Sequence, residues 1–461
     1  MVTPILYPTA EQTVDRLLEG PVFQDRPFVT GKTFKDVFAM ARSIVHSCPP
    51  GMNRQELLGV CTEDRAAIAA AILASLAGGP ILVFPSDISD AALKDLKTST
   101  GLTRVLADPA RTLPDGISAV PLEPVQGPLA DKPLKRSIAM DEPLLKLFTG
   151  GSTGKPVIWS KTATNIVSEA GFHVLAHRLT PDDVVLATVP PYHIYGLLFS
   201  VAAPLMAGAS VVNQPLAFPH EIIDAVQKNA ATILVSVPAH YKALKGHEFG
   251  RHCLRFALSS AGTLDPEDEA AFRTLTGTPV VEVYGSTETG GIAFRCRARG
   301  EDCFTPFDRI EARITDNDLR IRSPFVSPEI GLDDQGFYLA QDRVEPRSGG
   351  AFALLGRTDT IVKVGGKRVD LDHVKTVLKQ MPGVRDALVY ARAIPTGREF
   401  DIHALIEGDC ARSGIRAFLA DQLEAVARPR RFRIVDKMPM TRAGKYDRSA
   451  IEALFAADRD E

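Results

Sequence analysis

The chain has 461 residues, 45% of them hydrophobic, and a formal net charge of −3, which provides for more than one packed core. So small a charge offers no electrostatic footprint for nucleic acid or an anionic membrane surface, and no apolar run reaches the length of a membrane span. The start, Met1 to Pro8, lacks a basic region followed by an apolar stretch, so the expectation is a cytoplasmic protein whose partner is a small molecule.

In chain order, apolar β-rich runs alternate with helical patterns. Leu57–Cys61, Pro80–Phe84, Val184–Val189, Thr232–Val237 and Val280–Tyr284 read as buried strands, and Arg65–Leu76 and Phe218–Ala230 read as helices between them. This alternation predicts a parallel α/β sheet. From about 303 to 355 short strands such as Leu319–Arg322 are broken by Pro and Gly, which predicts a smaller β-rich unit. Beyond Asp359 come a strand (Thr360–Val364), a Gly365-Gly366 turn, a helix (Leu371–Gln380), a strand (Ala387–Ala391) and a closing α+β stretch, together a separate domain of about 100 residues. The six cysteines, at 48, 61, 253, 296, 303 and 410, are too scattered for a disulfide framework, and Cys296 and Cys303 match no common zinc spacing. They read as free thiols.

The strongest chemical signal is Phe148-Thr149-Gly150-Gly151-Ser152-Thr153-Gly154-Lys155. Glycines allow close backbone approach, and the hydroxyls of Thr149, Ser152 and Thr153 add donors, so the run suits a nest for phosphate oxygens. By itself it also fits a surface turn. It is not a Walker loop, because Pro156 follows Lys155 and the spacer between glycines is wrong.

Further segments follow: Pro190-Pro191-Tyr192-His193-Ile194-Tyr195-Gly196, Tyr284-Gly285-Ser286-Thr287-Glu288-Thr289-Gly290, Gly356-Arg357-Thr358-Asp359, and Gly444-Lys445 after Met438-Pro439. In this order and spacing the chain resembles the adenylate-forming superfamily of acyl-CoA synthetases, peptide-synthetase adenylation domains and luciferases. The resemblance is firm over about residues 141–448 and loose before that. It implies an α/β fold, with a large N-terminal domain of parallel sheets and a small β-rich unit (1–357) and a smaller, mobile α+β C-terminal domain (358–461).

It also implies site roles. The loop of Thr149, Gly150, Gly151, Ser152, Thr153 and Gly154 would hold the β- and γ-phosphates of ATP, Tyr284 would stack on adenine, Thr287 would donate to the α-phosphate, and Glu288 would bind Mg2+. Each role suits its residue, a flat ring for a base and a hard oxygen for magnesium. Taken alone, the segment at 284–290 also fits a strand-to-helix turn with a Ser or Thr cap. Asp342, after an aromatic strand (Phe337–Gln341), stands at the ribose-binding aspartate, although Ala340-Gln341 replaces the usual Thr-Gly; Arg357 is the second ribose candidate. Asp359 matches the inter-domain pivot, Gly365 and Gly366 the thiol tunnel, and Lys445 the charge that neutralises carboxylate and α-phosphate as they meet. His193 borders the acyl pocket. Its neighbours follow fatty- and aryl-acid ligases, and the aspartate that pairs with an amino-acid substrate is missing.

The implied activity is ATP-dependent conversion of a fatty or aromatic acid to acyl-AMP, then transfer to a pantetheine thiol, CoA being favoured over a carrier protein. Three departures mark a divergent branch: Val157 in place of a basic residue, Ser260-Ala261 in place of a glycine pair, and His373 in place of a glutamate. They also admit a nucleotide-binding protein without turnover. The arginines at 428, 430, 431 and 433 read as a solvated face, with contact to CoA or an acidic carrier as the alternative.

Overall fold

The computed structural model describes residues 8–47, 56–122, 133–149, 157–216, 218–364, 367–393, 400–441 and 446–456. The chain divides into two compact units, one of residues 1–311 with 322–332 and one of residues 312–321 with 333–461.

Among the described residues, the first unit contains two sheets. A six-stranded sheet runs in the order Ser118–Ala119, Arg104–Ala107, Leu57–Cys61, Ile81–Phe84, Pro143–Thr149, Val157–Thr162, parallel except for its last pair. The helix Arg65–Leu76 is buried at every position, as its alanine-rich apolar sequence on all faces requires, and Asp64 caps it by accepting from the Ala66 amide. In the nine-stranded sheet, six neighbours are parallel: Pro27–Val29, Ser210–Val212, Val184–Ala187, Ile233–Ser236, Phe256–Ser259 and Val280–Ser286. On one face Leu186, Leu234, Ala257 and Val280 pack with Ile222, Val226, Tyr241, Leu244 and Phe272 of three helices. These runs are buried on both sides, which is why they read as continuous apolar strands and not as alternating ones.

The second unit holds an antiparallel four-stranded sheet (Glu311–Thr315, Asp318–Arg322, Tyr338–Pro346, Phe352–Arg357), a hairpin (Ile361–Val364 and Lys367–Asp370), and a three-stranded sheet (Val384–Ala393, Phe400–Gly408, Arg431–Val435). The helices Leu371–Lys379 and Arg412–Gln422 pack their apolar stripes onto the last of these. The expected β-rich unit is the four-stranded sheet. Several boundaries differ from expectation, two of them at segments that bear on the site. The strand read as Val184–Val189 ends at Ala187, where the chain turns toward Pro190-Pro191, and Asp342 lies inside the strand Tyr338–Pro346 instead of beyond it. Among the described residues no helix is long and apolar enough to cross a membrane.

Candidate active site

In the large sheet, Val184–Ala187 and Ile233–Ser236 are neighbours, yet the chain leaves the first toward Ser210–Val212 on one side and the second toward Phe256–Ser259 on the other. Loops that diverge from the carboxyl ends of adjacent parallel strands open a crevice, the usual ligand position in such sheets. The first loop carries Thr188, Tyr192 and His193; the second strand passes through Val237 directly into the helix Pro238–Leu244, which carries His240.

A polar cluster joins the two lips. Thr188 Oγ1 lies 2.7 Å from His240 Nδ1 and 2.8 Å from Ser236 Oγ, and Tyr195 donates its hydroxyl to the Ser236 carbonyl at 3.1 Å. Burial pulls the His240 imidazole below its ordinary range, which favours its neutral form. His193 precedes the one-turn helix Ile194–Leu197, its ring 4.8 Å from that of buried Tyr192. Gly196 is required there, because a Cβ would lie 2.0 Å from the Pro190 carbonyl oxygen. Arg65, which the sequence reading passed over, holds this loop from below: it is buried and donates to the carbonyls of Ala187 and Val189 at 3.4 and 3.3 Å and to Ser200 at 3.1 Å. An arginine opening an otherwise apolar helix was its one sequence signal.

The segment 284–290 is a hairpin tip and not the entry to a helix. Val280–Ser286 returns antiparallel as Gly290–Arg295. Ser286 and Thr289 lock the turn, with their hydroxyls 2.9 Å apart and the Ser286 amide bonded to Thr289 Oγ1 at 3.0 Å. Thr287 and Glu288 are thereby set at the tip. The Glu288 carbonyl accepts from the Ser327 amide at 2.8 Å and from Lys161 Nζ at 3.1 Å. Half-buried Tyr284 sits on the same edge, its ring 5.7 Å from Phe304. Behind it Glu282 pairs with Arg295 at 2.8 Å and with Arg297. Glu288 is a single protein carboxylate, and among the described residues no three metal-ligating side chains gather anywhere. That donor set fits magnesium, which takes most of its ligands from phosphate and water.

Thr149 and Val157 are register partners at the ends of two antiparallel strands, and Thr149 donates its hydroxyl to the Val157 carbonyl at 3.2 Å. Gly150, Gly151, Ser152, Thr153 and Gly154, the residues expected to hold phosphate, lie with Lys155 outside the described residues.

In the second unit, Asp342 and Arg357 are register partners on adjacent strands, and Arg357 also donates to the Gln341 side chain at 2.6 Å. The two ribose candidates therefore meet. Asp372, which the sequence reading did not single out, accepts from the Arg357 amide at 3.3 Å and from the Thr360 hydroxyl at 3.1 Å, fastening both flanks of Asp359. Gly365, Gly366 and Lys445 lie outside the described residues. Tyr446, next to Lys445, is anchored: its hydroxyl donates to Asp386 at 3.0 Å, and Met440 and Tyr446 form a β-bridge. Of the arginine cluster, Arg428 donates to the carbonyls of Leu423 and Ala420 at the end of the helix Arg412–Gln422, and Arg430 pairs with Asp401 at 3.4 Å. These two serve the fold.

The profile of the AMP-binding enzyme family matches residues 23–330, and that of the AMP-binding enzyme C-terminal domain matches residues 373–445. The chain is 27% identical over 404 residues to sulfoacetate–CoA ligase of Cupriavidus necator, covering 80% of this chain and 77% of that protein. It is 31% identical over 308 residues to 4-coumarate–CoA ligase of Rhodobacter capsulatus, covering 64% of this chain and 73% of that one. In fold it is similar to ATP-bound MatB from Rhodopseudomonas palustris, with a TM-score of 0.81 at 20% identity over 97% of this chain and 99% of that one. A benzoate CoA ligase from Burkholderia xenovorans gives 0.76 at 20% identity, over 97% and 100% of the two chains. Matched by its family profile over most of its length, the chain belongs to the AMP-binding enzymes.

Proposed function

We propose that the chain is an ATP-dependent acid–thiol ligase. A carboxylate oxygen attacks the α-phosphorus of ATP and pyrophosphate leaves, giving acyl-AMP; a pantetheine thiolate then attacks the acyl carbon and AMP leaves, giving the thioester. The observation that carries the reading is the sharing of one sheet edge by the hairpin tip of Thr287 and Glu288 and the crevice bordered by His193.

The first step brings two anions together, so donors and positive charge must converge where they meet. Thr287 donates to the α-phosphate, Glu288 holds Mg2+, which offsets phosphate charge when bound, and Tyr284 faces adenine. Asp342 and Arg357 hold the ribose, the loop from Thr149 to Gly154 holds the outer phosphates, and Lys445 neutralises the reacting oxygens. The region 358–461 then pivots at Asp359 away from 1–357, and Gly365 and Gly366 admit the thiol. Supporting this are the named CoA ligases among the relatives and ATP with a magnesium ion in the similarly folded o-succinylbenzoate CoA synthetase of Bacillus subtilis. CoA is the favoured acceptor, a phosphopantetheinylated carrier protein the alternative, a fatty or aromatic acid the substrate, and the cytoplasm the site of action.

A second reading, nucleotide binding without turnover, is favoured by Val157, which leaves the loop one cation short. Carboxylate-dependent exchange of labelled pyrophosphate into ATP over a panel of fatty, aromatic and small anionic acids separates the two. Exchange with at least one acid supports the ligase; nucleotide binding with no exchange for any acid supports the second reading.

A further inference from the structure

Two buried charges outside the roles above grip the turn that carries Thr287 and Glu288. Lys161, on the strand Val157–Thr162, is fully buried, and its Nζ donates to the carbonyls of Phe325 at 2.8 Å and Glu288 at 3.1 Å. Glu169, on the helix Ala163–Ala176, is also buried, and its Oε1 accepts from the Gly291 amide at 2.6 Å. One side chain thus holds the turn where it leaves Glu288, and the other holds it where the return strand begins. Glycines at 290 and 291 make this approach possible: a Cβ on Gly290 would lie 2.6 Å from Glu169 Oε2, and one on Gly291 would lie 2.7 Å from Phe307. The helix that brings Glu169 in is itself fixed at its start, where Thr162 and Asn165 form a reciprocal cap and Asn165 donates to the Pro324 carbonyl at 2.7 Å.

A buried charge pair is a poor choice if stability alone is wanted. Removing two charges from water is expensive, and apolar residues of similar volume commonly do as well or better. Burial pulls the Lys161 amine down and pushes the Glu169 carboxyl up, while each opposite charge works against its partner's shift. Glu169 Oε2 has no hydrogen-bond partner among the described residues. An arrangement with these penalties needs a return other than packing, and fixing two backbone groups of a site loop to a few tenths of an ångström is such a return, since small misplacements of reacting groups are costly in rate.

We propose that Lys161 and Glu169 are positioning residues that together hold the Glu288–Gly291 turn, and through it the side chains of Thr287 and Glu288, in the geometry needed for adenylation. This rests on the ligase reading for its kinetic arm only. The decisive variant is Lys161→Met with Glu169→Leu, which removes both charges and leaves neither unpaired. It should still fold, with a thermal midpoint lowered because the Gly291 amide and the Phe325 carbonyl lose their partners, lose about 10- to 100-fold in kcat for pyrophosphate exchange with KM for the acid little changed, and show faster hydrogen–deuterium exchange at the amides of Glu288 to Gly291. Glu169→Gln, whose amide oxygen still accepts from Gly291, should lower the thermal midpoint because buried Lys161 loses an opposing charge, yet retain most of the rate and protection in the folded state. A folded double variant with wild-type kcat and wild-type protection of the turn overturns the assignment. So does a double variant that cannot fold, because the pair would then support the whole unit. If wild type exchanges pyrophosphate with no acid, the ligase reading fails and turn protection alone decides this one.

Discussion

Gly285→Ala tests whether the hairpin tip is where the chemistry is organised. A Cβ at this position would lie 2.3 Å from the Gly290 carbonyl oxygen and 2.7 Å from Gly291 Cα, against ~3.5 Å for an ordinary non-bonded contact. The obstructing atoms are backbone of the partner strand, so no side chain can rotate away, and the two strands must part by about 1 Å. Overpacking on this scale typically costs about 1–3 kcal/mol, which a domain of ordinary stability survives. The shift falls on the turn carrying Thr287 and Glu288, where a displacement of about 1 Å is expected to slow the reaction on the order of 100-fold. The assay is carboxylate-dependent pyrophosphate exchange, run beside circular dichroism and thermal unfolding. A variant that is folded and exchanges within about threefold of wild type, where on the order of 100-fold is expected, would refute the placement of the α-phosphate at this tip. A variant that loses rate only in proportion to its unfolded fraction would refute it equally.

Three further outcomes are expected. Lys445→Ala should slow acyl-AMP formation by ~3 kcal/mol or more in barrier while affecting thiol transfer from preformed acyl-AMP far less; equal rates of acyl-AMP formation in variant and wild type would exclude the role. Glu288→Gln keeps the shape and removes the charge, so the magnesium concentration giving half-maximal exchange should rise with thermal stability little changed, and an unaltered magnesium dependence would take Glu288 out of the site. Asp359→Pro fixes φ at the pivot and should keep pyrophosphate exchange but lose thioester formation; equal loss of both half-reactions would count against a pivot there.

Much of the fold was legible because it depends on local pattern. Arg65–Leu76 was read with its observed ends, since an apolar helix following an aspartate cap is fully specified by its own residues. The buried strands Leu57–Cys61 and Ile233–Ser236 were legible for a related reason, being short apolar runs between turn residues. The motifs at 190–196 and 284–290 were legible through their order and spacing, which resemble the adenylate-forming family, and the structure adds that each holds a glycine closely fitted against backbone, Gly196 against Pro190 and Gly285 against Gly290.

What the sequence by itself determined was therefore the class of fold and the family. What only the tertiary structure decided was which distant residues support the candidate site. Nothing near Lys161 in the run Val-Ile-Trp-Ser-Lys-Thr says that its amine will reach the Glu288 carbonyl 127 residues away, and nothing near Glu169 points to Gly291, 122 residues away. Arg65 beneath the His193 loop and the Thr188–His240 bond across the crevice are of the same kind. Whether 284–290 opens a helix or closes a hairpin was likewise undecided locally, because Ser and Thr cap either. The return strand Gly290–Arg295 pairs with Val280–Ser286 and packs on Phe307, and that long-range burial selects the hairpin. Periodicity and turn chemistry act over a few residues, whereas a buried charge finds its partner only after strand order has brought distant segments together.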